Sequence, residues 1–317
     1  MAASSRKVIV AALVGNSLIA ITKFIAAGLT GSSAMLSEGI HSVVDTGNQI
    51  LLLYGLHRAK KPADEFFPYG HGKELYFWSF VVAILIFAVG AGVSIYEGVQ
   101  HLTDPHPVTD PYLNYIVLGL AFLFEGGAWI FALKEFSRVK GHFGFIQAVH
   151  RGKDPSLFVV LFEDSAALLG IVVAFLGILL GQITGIPYFD GAASIVIGLI
   201  LGTTAIWLAY ETKGLLIGES ANREVVRGIH ELAKSFEEIE HVNQVLTLHM
   251  GPDFILVNLS VDFADDTTAE QIENAIFMLT IEIKRAFPRV QRVFVEPEAR
   301  LILDTSGKKV EDEDVGE

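Results

Sequence analysis

Six apolar runs, each long enough to cross a bilayer, constrain this chain more than any other feature. They cover about residues 8–29, 32–56, 75–99, 112–136, 155–180 and 189–216. A helix needs about 20 apolar residues to span the hydrocarbon core, and lipid offers no partner to an unpaired backbone group, so such runs become helices. The sequence therefore predicts a mostly α membrane protein with a six-helix transmembrane domain over residues 1–216.

The basic residues of the loops predict how these runs are oriented. They lie between runs two and three and between runs four and five: Arg58, Lys60, Lys61, Lys73, Arg138, Lys140, Arg151 and Lys153. The other three loops contain no Lys or Arg. By the positive-inside rule, the basic loops, both termini and the long C-terminal segment are cytosolic. The first run is too long for a signal peptide, so we predict that it is the first span. The short extracytosolic loops and the lack of an evident targeting sequence lead us to predict a bacterial inner membrane as the location.

The composition after about Ile217 is that of a soluble domain. The patterns predict a helix over 223–236, strands over 243–250 and 255–263, a helix with one apolar face between 272 and 283, and a strand over 292–296. The predicted order is αββαβ, in a cytosolic domain of residues 217–300. A unit this small gains from burying apolar surface against a second copy. Residues 301–317 are acidic and polar, and we expect a disordered tail.

The lack of cysteine limits the chemistry that this chain can carry out. With 0 Cys there is no disulfide, thiolate metal site or cysteine nucleophile, so His, Asp, Glu and water remain as metal ligands. The net charge of −13 comes mostly from the part beyond Ile217. An acidic cytosolic surface either attracts divalent cations or simply keeps the domain soluble.

A polar stripe runs down one face of the second apolar run. Glu38, His41, Asp45 and Asn48 follow one another at helical spacing, and His41 and Asp45 are separated by one turn. An ionisable group within a span costs at least about 2.5 kcal/mol, so it usually marks the path of an ion or a proton. The alternative is a set of buried polar groups that hold helices together.

The fifth run provides two further acids, Glu163 and Asp164. Adjacent residues on a helix point about 100° apart, so at most one of the two is expected to face the second run directly. An imidazole with carboxylates suits Zn²⁺, and also Mn²⁺, Fe²⁺ or Co²⁺. The alternative is that these acids pair with Lys23 of the first run. Glu125 of the fourth run is open to the same pairing or to a role in passing protons on.

These residues and motifs resemble the cation diffusion facilitator family, the cation efflux and zinc transporter type. The resemblance covers residues 5 to about 300 and rests on the six runs, Ser37 to Asp45, Pro68 to Glu74, the Asp190-Gly-Ala-Ala-Ser start of the sixth run and the αββαβ tail. It implies a homodimeric exporter that exchanges cytosolic Zn²⁺ or a related divalent metal for protons, with a ferredoxin-like tail. It implies a lipid bilayer as surroundings, no tightly bound cofactor and no nucleic-acid partner.

The metal site that the resemblance implies lies between the second and fifth runs. The family places a His or Asp four residues before the last acid of the fifth run, whereas this chain has Val160. Either Glu163 or a water takes the place of the ligand missing at Val160, and we hypothesise a site made of His41, Asp45, Asp164 and Glu163.

The two peripheral sites of the family are incomplete in this chain. In the loop after the second run His71 is present, but partner positions hold Phe66 and Phe67. In the tail His241 is present, but other ligand positions hold Asn258, Val295 and Glu296. We expect no binuclear loop site and an empty or weak tail site. His249 either compensates for the missing tail ligands or is a structural residue, and the structural role is the commoner one for a histidine in a strand.

Three functions compete at this point. The first is the proton-coupled metal exporter. The second is a membrane metal sensor or scaffold that binds metal without transporting it, as the loss of a ligand at Val160 allows. The third, an intramembrane enzyme, is disfavoured because the sequence has no His-Glu-x-x-His motif and no evident nucleophile with a base.

Overall fold

The computed structural model describes residues 2–105, 110–140, 144–151, 153–300, 302–303 and 309–310. The chain divides into two compact units, Met1–Leu216 and Ile217–Glu317. The first unit is helical and the second combines helices with a sheet. This confirms the prediction of a mostly helical protein with a small C-terminal unit of mixed structure.

All helices of the first unit except the short α6 correspond to the apolar runs. Their bounds are α1 Ala2–Thr30, α2 Ser33–Arg58, α3 Glu74–Leu85, α4 Gly92–Thr103, α5 Pro111–Lys140, α6 Phe145–Arg151, α7 Pro155–Thr184 and α8 Tyr188–Ile217. A π-helical segment, Ile86–Ala91, joins α3 to α4 within a single run. Such a segment changes the direction that the following side chains face. The short helix α6 was not predicted.

Four helical stretches of the described residues are long and apolar enough to cross a membrane: Glu74–Thr103, Pro111–Arg138, Phe158–Thr184 and Tyr188–Ile217. The sequence also predicts α1 and α2 as spans. The mean hydropathy of α2 is reduced by its polar stripe. The count of six spans therefore remains a prediction.

Helix α2 lies at the centre of the first unit, where it packs against α1, α3, α4 and α7. The turn from α1 into α2 is made by Gly31, whose φ of +70° is a conformation that glycine adopts without strain. Ser32 then caps α2 by accepting a hydrogen bond from the N–H of Met35 at 3.1 Å. Because four helices surround α2, its polar stripe is enclosed by protein.

The second unit is built as α9 Arg223–Lys234, β1 Ile239–Gly251, β2 Phe254–Phe263, α10 Ala269–Ala286 and β3 Val290–Pro297. β2 is the middle strand; it pairs antiparallel with β1 and parallel with β3. Its apolar residues alternate as predicted, and Val257, Leu259 and Val261 are fully buried. A Thr268–Gln271 capping box begins α10.

The order helix, strand, strand, helix, strand is the predicted one, and the three strands form one mixed sheet. In the predicted tail, Ile302–Leu303 and Lys309–Val310 pair as two short antiparallel strands, β4 and β5. The rest of residues 301–317 lies outside the described residues.

Candidate functional site

The start of α2 is fixed by a carboxylate from another helix. Asp190, on the first turn of α8, accepts hydrogen bonds from the Ser32 hydroxyl at 2.6 Å and from the Ser33 N–H at 2.6 Å. It also accepts from the Ser33 hydroxyl at 2.9 Å and the Ala34 N–H at 3.3 Å. The structure shows that it caps α2, and so helps to set the rotation of the polar stripe.

The four residues of the polar stripe are all buried. Glu38, His41, Asp45 and Asn48 are exposed by 0%, 1%, 4% and 0%. His41 Nδ1 lies 3.3 Å from Asp45 Oδ1, as the one-turn spacing predicts. Neither ring nitrogen of His41 has a hydrogen-bond partner among the described residues. The imidazole is thus held beside a carboxylate with its nitrogen atoms available.

Glu163 is the acid of α7 that bonds to α2. Asn48 Nδ2 donates a hydrogen bond of 2.7 Å to Glu163 Oε1. The carboxyl groups of Asp45 and Glu163 also lie close to each other. Of the two adjacent acids of α7, Glu163 is therefore the one that bonds to α2.

Asp164 is buried in the same region of α7. Its Oδ2 has no hydrogen-bond partner in the part of the chain that the structure describes. The Asp164 carboxylate is close enough to those of Glu163, Glu125 and Asp45 for their charges to interact. One turn earlier on α7, Val160 is buried and presents only carbon atoms.

The predicted donors are close together but are not gathered into a cage. Across residues 2–105, 110–140, 144–151 and 153–300, no group of three or more His, Asp or Glu side chains is placed to hold a metal ion. Asp45 Oδ1, Asp164 Oδ2 and the His41 nitrogens nevertheless lack partners among these residues. A buried polar atom without a partner costs about 1–3 kcal/mol, so this arrangement favours a ligand that binds to lone pairs.

Lys23 does not pair with either acid of α7. In the described structure its ammonium donates hydrogen bonds to Glu38 at 2.9 Å, to Glu125 at 3.0 Å and to Ser42 at 3.0 Å. The alternative explanation for Glu163 and Asp164 therefore does not hold, whereas the pairing of Glu125 with Lys23 does. The sequence did not assign Glu38 to this ion pair, because nothing local to α2 indicates which helix supplies the counter-ion.

The loop histidine has acidic neighbours. His71 Nε2 lies 2.8 Å from Asp64 Oδ2, and His71 Nδ1 lies 3.7 Å from Glu74 Oε1. The hydrogen bond with His71, together with backbone N–H groups, lowers the pKa of Asp64. Phe66 is largely exposed, and the ring of Phe67 packs on the imidazole with its centroid 4.5 Å away.

In the second unit, His241 and Asp262 face each other across β1 and β2. His249 is buried, and its Nδ1 lies 3.4 Å from the carbonyl oxygen of Gly251. That contact agrees with a structural role for His249.

Comparison with known proteins gives the family. The model of the cation efflux transmembrane domain matches residues 9–217 of this chain. The chain belongs to the cation diffusion facilitator family. This membership confirms the resemblance seen in the sequence. The matching family model describes a transmembrane domain.

Several relatives of this cation diffusion facilitator carry descriptive names. The human protein called proton-coupled zinc antiporter SLC30A9, mitochondrial, is 32% identical over 311 residues, which is 96% of this chain and 55% of the human protein. Metal tolerance protein C4 of Arabidopsis thaliana is 30% identical over 261 residues, or 82% of this chain and 57% of that protein. Manganese efflux system protein MneP of Bacillus subtilis is 24% identical over 302 residues, or 92% and 95%. The chain spans little more than half the length of the first two relatives.

Proposed function

We propose that this protein moves a divalent metal ion, Zn²⁺, out of the cytosol in exchange for protons, through a site shared by α2 and α7. The observation that carries this proposal is a group of buried imidazole and carboxylate atoms without partners, at the contact of two helices in the first unit. The relative named as a proton-coupled zinc antiporter supports both the cargo and the counter-ion.

The ligands that we propose are His41, Asp45, Asp164 and Glu163. In the structure Glu163 is bonded to Asn48 and approaches Asp45, so it must release Asn48 in order to bind a metal. We infer that metal entry draws Asp45 and Glu163 apart and turns their oxygens towards the ion. In this way Glu163 supplies the ligand that Val160 does not.

The contact between Asp45 and Glu163 also explains the exchange. Two carboxyl groups form a hydrogen bond only if one of them carries a proton, because an ionised carboxylate has no donor. We infer that Asp45 and Glu163 share one proton when no metal is bound. Zn²⁺ needs deprotonated carboxylates and a neutral imidazole, so metal and proton compete for the same atoms. That competition couples the two fluxes if the site opens alternately to each side.

The proposed architecture is that of the sequence prediction. Helices α1 and α2 complete six spans, and both termini face the cytosol. Residues 217–300 form a cytosolic ferredoxin-like domain that contributes to a homodimer, and residues 301–317 form an acidic tail. The basic loop residues support the orientation, and the small core of the second unit supports the dimer.

The membrane that contains the protein has two candidates. The sequence predicts a bacterial inner membrane, and a bacterial manganese efflux protein is among the relatives. The relatives with mitochondrial names favour a mitochondrial membrane instead. Localisation of a tagged full-length chain in its own cells distinguishes the two.

The decisive experiment is zinc transport into vesicles that contain the purified protein, with an imposed pH gradient and a fluorescent zinc indicator inside. We expect uptake that depends on the gradient and is lost in Asp45→Ala. Glu211→Gln is a matched control, because Glu211 is a buried acid of α8 outside the proposed site. Uptake that survives Asp45→Ala would contradict the site. Full transport in Glu163→Gln would remove Glu163 from the ligand set.

The second candidate, a membrane metal sensor or scaffold, is favoured by one observation. The described His, Asp and Glu side chains do not form a ready cage, and Val160 occupies a position where the family has a ligand. A sensor binds zinc but moves none. Zinc binding to the detergent-solubilised protein, combined with zero zinc flux in the vesicle assay, would select this function. The same assay with Mn²⁺ in place of Zn²⁺ tests whether manganese is a cargo.

A further inference from the structure

A second cluster of buried charges lies beside the proposed metal site. It joins three helices: Lys23 of α1, Glu38 of α2 and Glu125 of α5. The ammonium lies 2.9 Å from Glu38 Oε2 and 3.0 Å from Glu125 Oε1. Lys23 and Glu38 are fully buried and Glu125 is 6% exposed. We call these three residues the lysine triad.

The lysine triad has one carboxylate more than its ammonium can neutralise. If all three groups are ionised, the triad carries one net negative charge. Glu38 Oε1 and Glu125 Oε2 are both buried and have no hydrogen-bond partner among the described residues. An unpaired charge in such surroundings is unfavourable, since it has given up its hydration. A single proton on either of the two free oxygens removes the excess charge.

The free oxygen of Glu38, Oε1, lies against the backbone of a glycine on α7. Gly170 of α7 faces Glu38 Oε1 so closely that an added Cβ would overlap the oxygen. A side chain at this position would therefore displace the carboxylate. The helix that carries Glu163 and Asp164 thus has a glycine where Glu38 reaches it.

The triad is close enough to the metal donors to respond to their charge. Lys23 lies within electrostatic range of His41, and Glu125 lies within range of Asp45 and Asp164. A doubly charged ion among those donors opposes any proton held on the triad, because like charges repel strongly where the effective dielectric constant is low. Among the described residues, the titratable groups of α2 and α7 within electrostatic range of the triad include His41, Asp45 and Asp164.

We propose that the lysine triad is a proton-carrying site, distinct from the metal ligands, which takes up one proton when the metal leaves and releases it when the metal binds. The proton is held on a free carboxyl oxygen of Glu38 or Glu125, and it passes to and from water without any other bond changing. The proposal rests on the proposed metal exchange and adds a second group of acids to it. A purely structural ion pair would hold the same three helices together but would bind no exchangeable proton.

The test counts the protons released when zinc binds. Calorimetric titration of the full-length protein in detergent, repeated in buffers of different ionisation enthalpy, gives the number of protons released for each Zn²⁺ bound. We expect Glu125→Gln and Glu38→Gln each to release about one proton fewer than the unmodified protein, and log K for zinc to rise less steeply with pH. Each variant keeps one carboxylate paired with Lys23, so the charge of the folded state stays balanced.

Two further variants separate the proposal from a structural role. Lys23→Gln is expected to increase the number of protons released for each Zn²⁺ bound. Without the ammonium, the two neighbouring acids hold an additional proton before the metal binds. Glu211→Gln, with the same 6% exposure as Glu125 but a place on α8, is expected to leave the count unchanged. A structural ion pair predicts no change in the count for any of these variants.

The outcomes also distinguish this proposal from the proposed function. If zinc binds to the unmodified protein, Asp45→Ala abolishes binding, and the count is the same in Glu125→Gln and Glu38→Gln, the triad is not a proton site although the metal site stands. If the unmodified protein binds no zinc, the metal site itself fails and the triad proposal fails with it. If one of Glu38→Gln and Glu125→Gln does not fold, the other by itself gives the change in the number of protons released.

Discussion

Replacing Asp190 by alanine tests whether this carboxylate anchors the helix that carries the metal donors. The carboxylate accepts four hydrogen bonds from Ser32, Ser33 and Ala34 at the start of α2. Alanine removes all four and leaves two backbone N–H groups without this acceptor. The region is buried, since Asp190 is only 2% exposed. Water therefore replaces the lost acceptor poorly.

The expected loss in free energy of unfolding follows from these contacts. The Ser33 hydroxyl keeps its contact of 2.9 Å with the Ser194 hydroxyl, and the Ala34 N–H is 3.3 Å from the carboxylate, so the loss of these two hydrogen bonds costs little. The Ser33 N–H, at 2.6 Å, loses a hydrogen bond to a charged group. Such a bond is worth about 1.5–3 kcal/mol and a helix cap about 1 kcal/mol, so we expect a loss of about 2–4 kcal/mol.

The assay is reversible unfolding in mixed micelles, with helicity and tryptophan fluorescence as the two readouts. Asp190→Asn is a matched control, because its amide oxygen keeps the acceptor for the Ser33 N–H. Ser194→Ala removes the hydroxyl contact of 2.9 Å to Ser33 and a long hydrogen bond of 3.4 Å to the Asp190 carbonyl oxygen, and it should cost no more than about 1 kcal/mol. A loss below that value in Asp190→Ala would refute the idea that this carboxylate holds α2 in place.

Two other predictions concern single contacts. Gly170→Ala places a Cβ against Glu38 Oε1, so we expect an unfolding free energy lower by about 1–3 kcal/mol, whereas Gly119→Ala, with open space around its Cβ, should be neutral or slightly stabilising in the same assay. Asp64 should titrate below the value of about 3.9 for a free aspartate, because the His71 hydrogen bond favours its charged form. Its contribution to loop stability is then present above that pH and lost as the pH falls through the lower pKa. A carboxyl carbon NMR titration checks this, and an Asp64 that titrates no lower than in His71→Ala would contradict it.

The sequence was informative wherever one element decides the outcome by itself. The 3.6-residue period places Glu38, His41, Asp45 and Asn48 on one face of α2, and the structure buries all four. Alternation by two residues identifies the buried face of β2 in the same way. The conversion of each apolar run into a helix also needs no partner, because the backbone hydrogen bonds are internal to the run.

Partner choice, in contrast, was decided by the tertiary structure. The sequence could not assign Lys23 to Glu38 and Glu125 rather than to Glu163, because a hydrogen bond between helices depends on their relative rotation and height. For the same reason it could not tell that Glu163, rather than its neighbour, bonds to Asn48.

What the sequence alone determined, then, is the position of the long helices and of the three strands of the mixed sheet, and the polar face of α2 and of β2, since these follow from local periodicity and from the lack of water in lipid. Only the packing of α2 against α1 and α7, with Asp190 of α8 bonded to its first turn, decided which charges meet. The physical reason is that shifting one helix by a single turn, about 5.4 Å, keeps every pattern in the sequence but changes every partner.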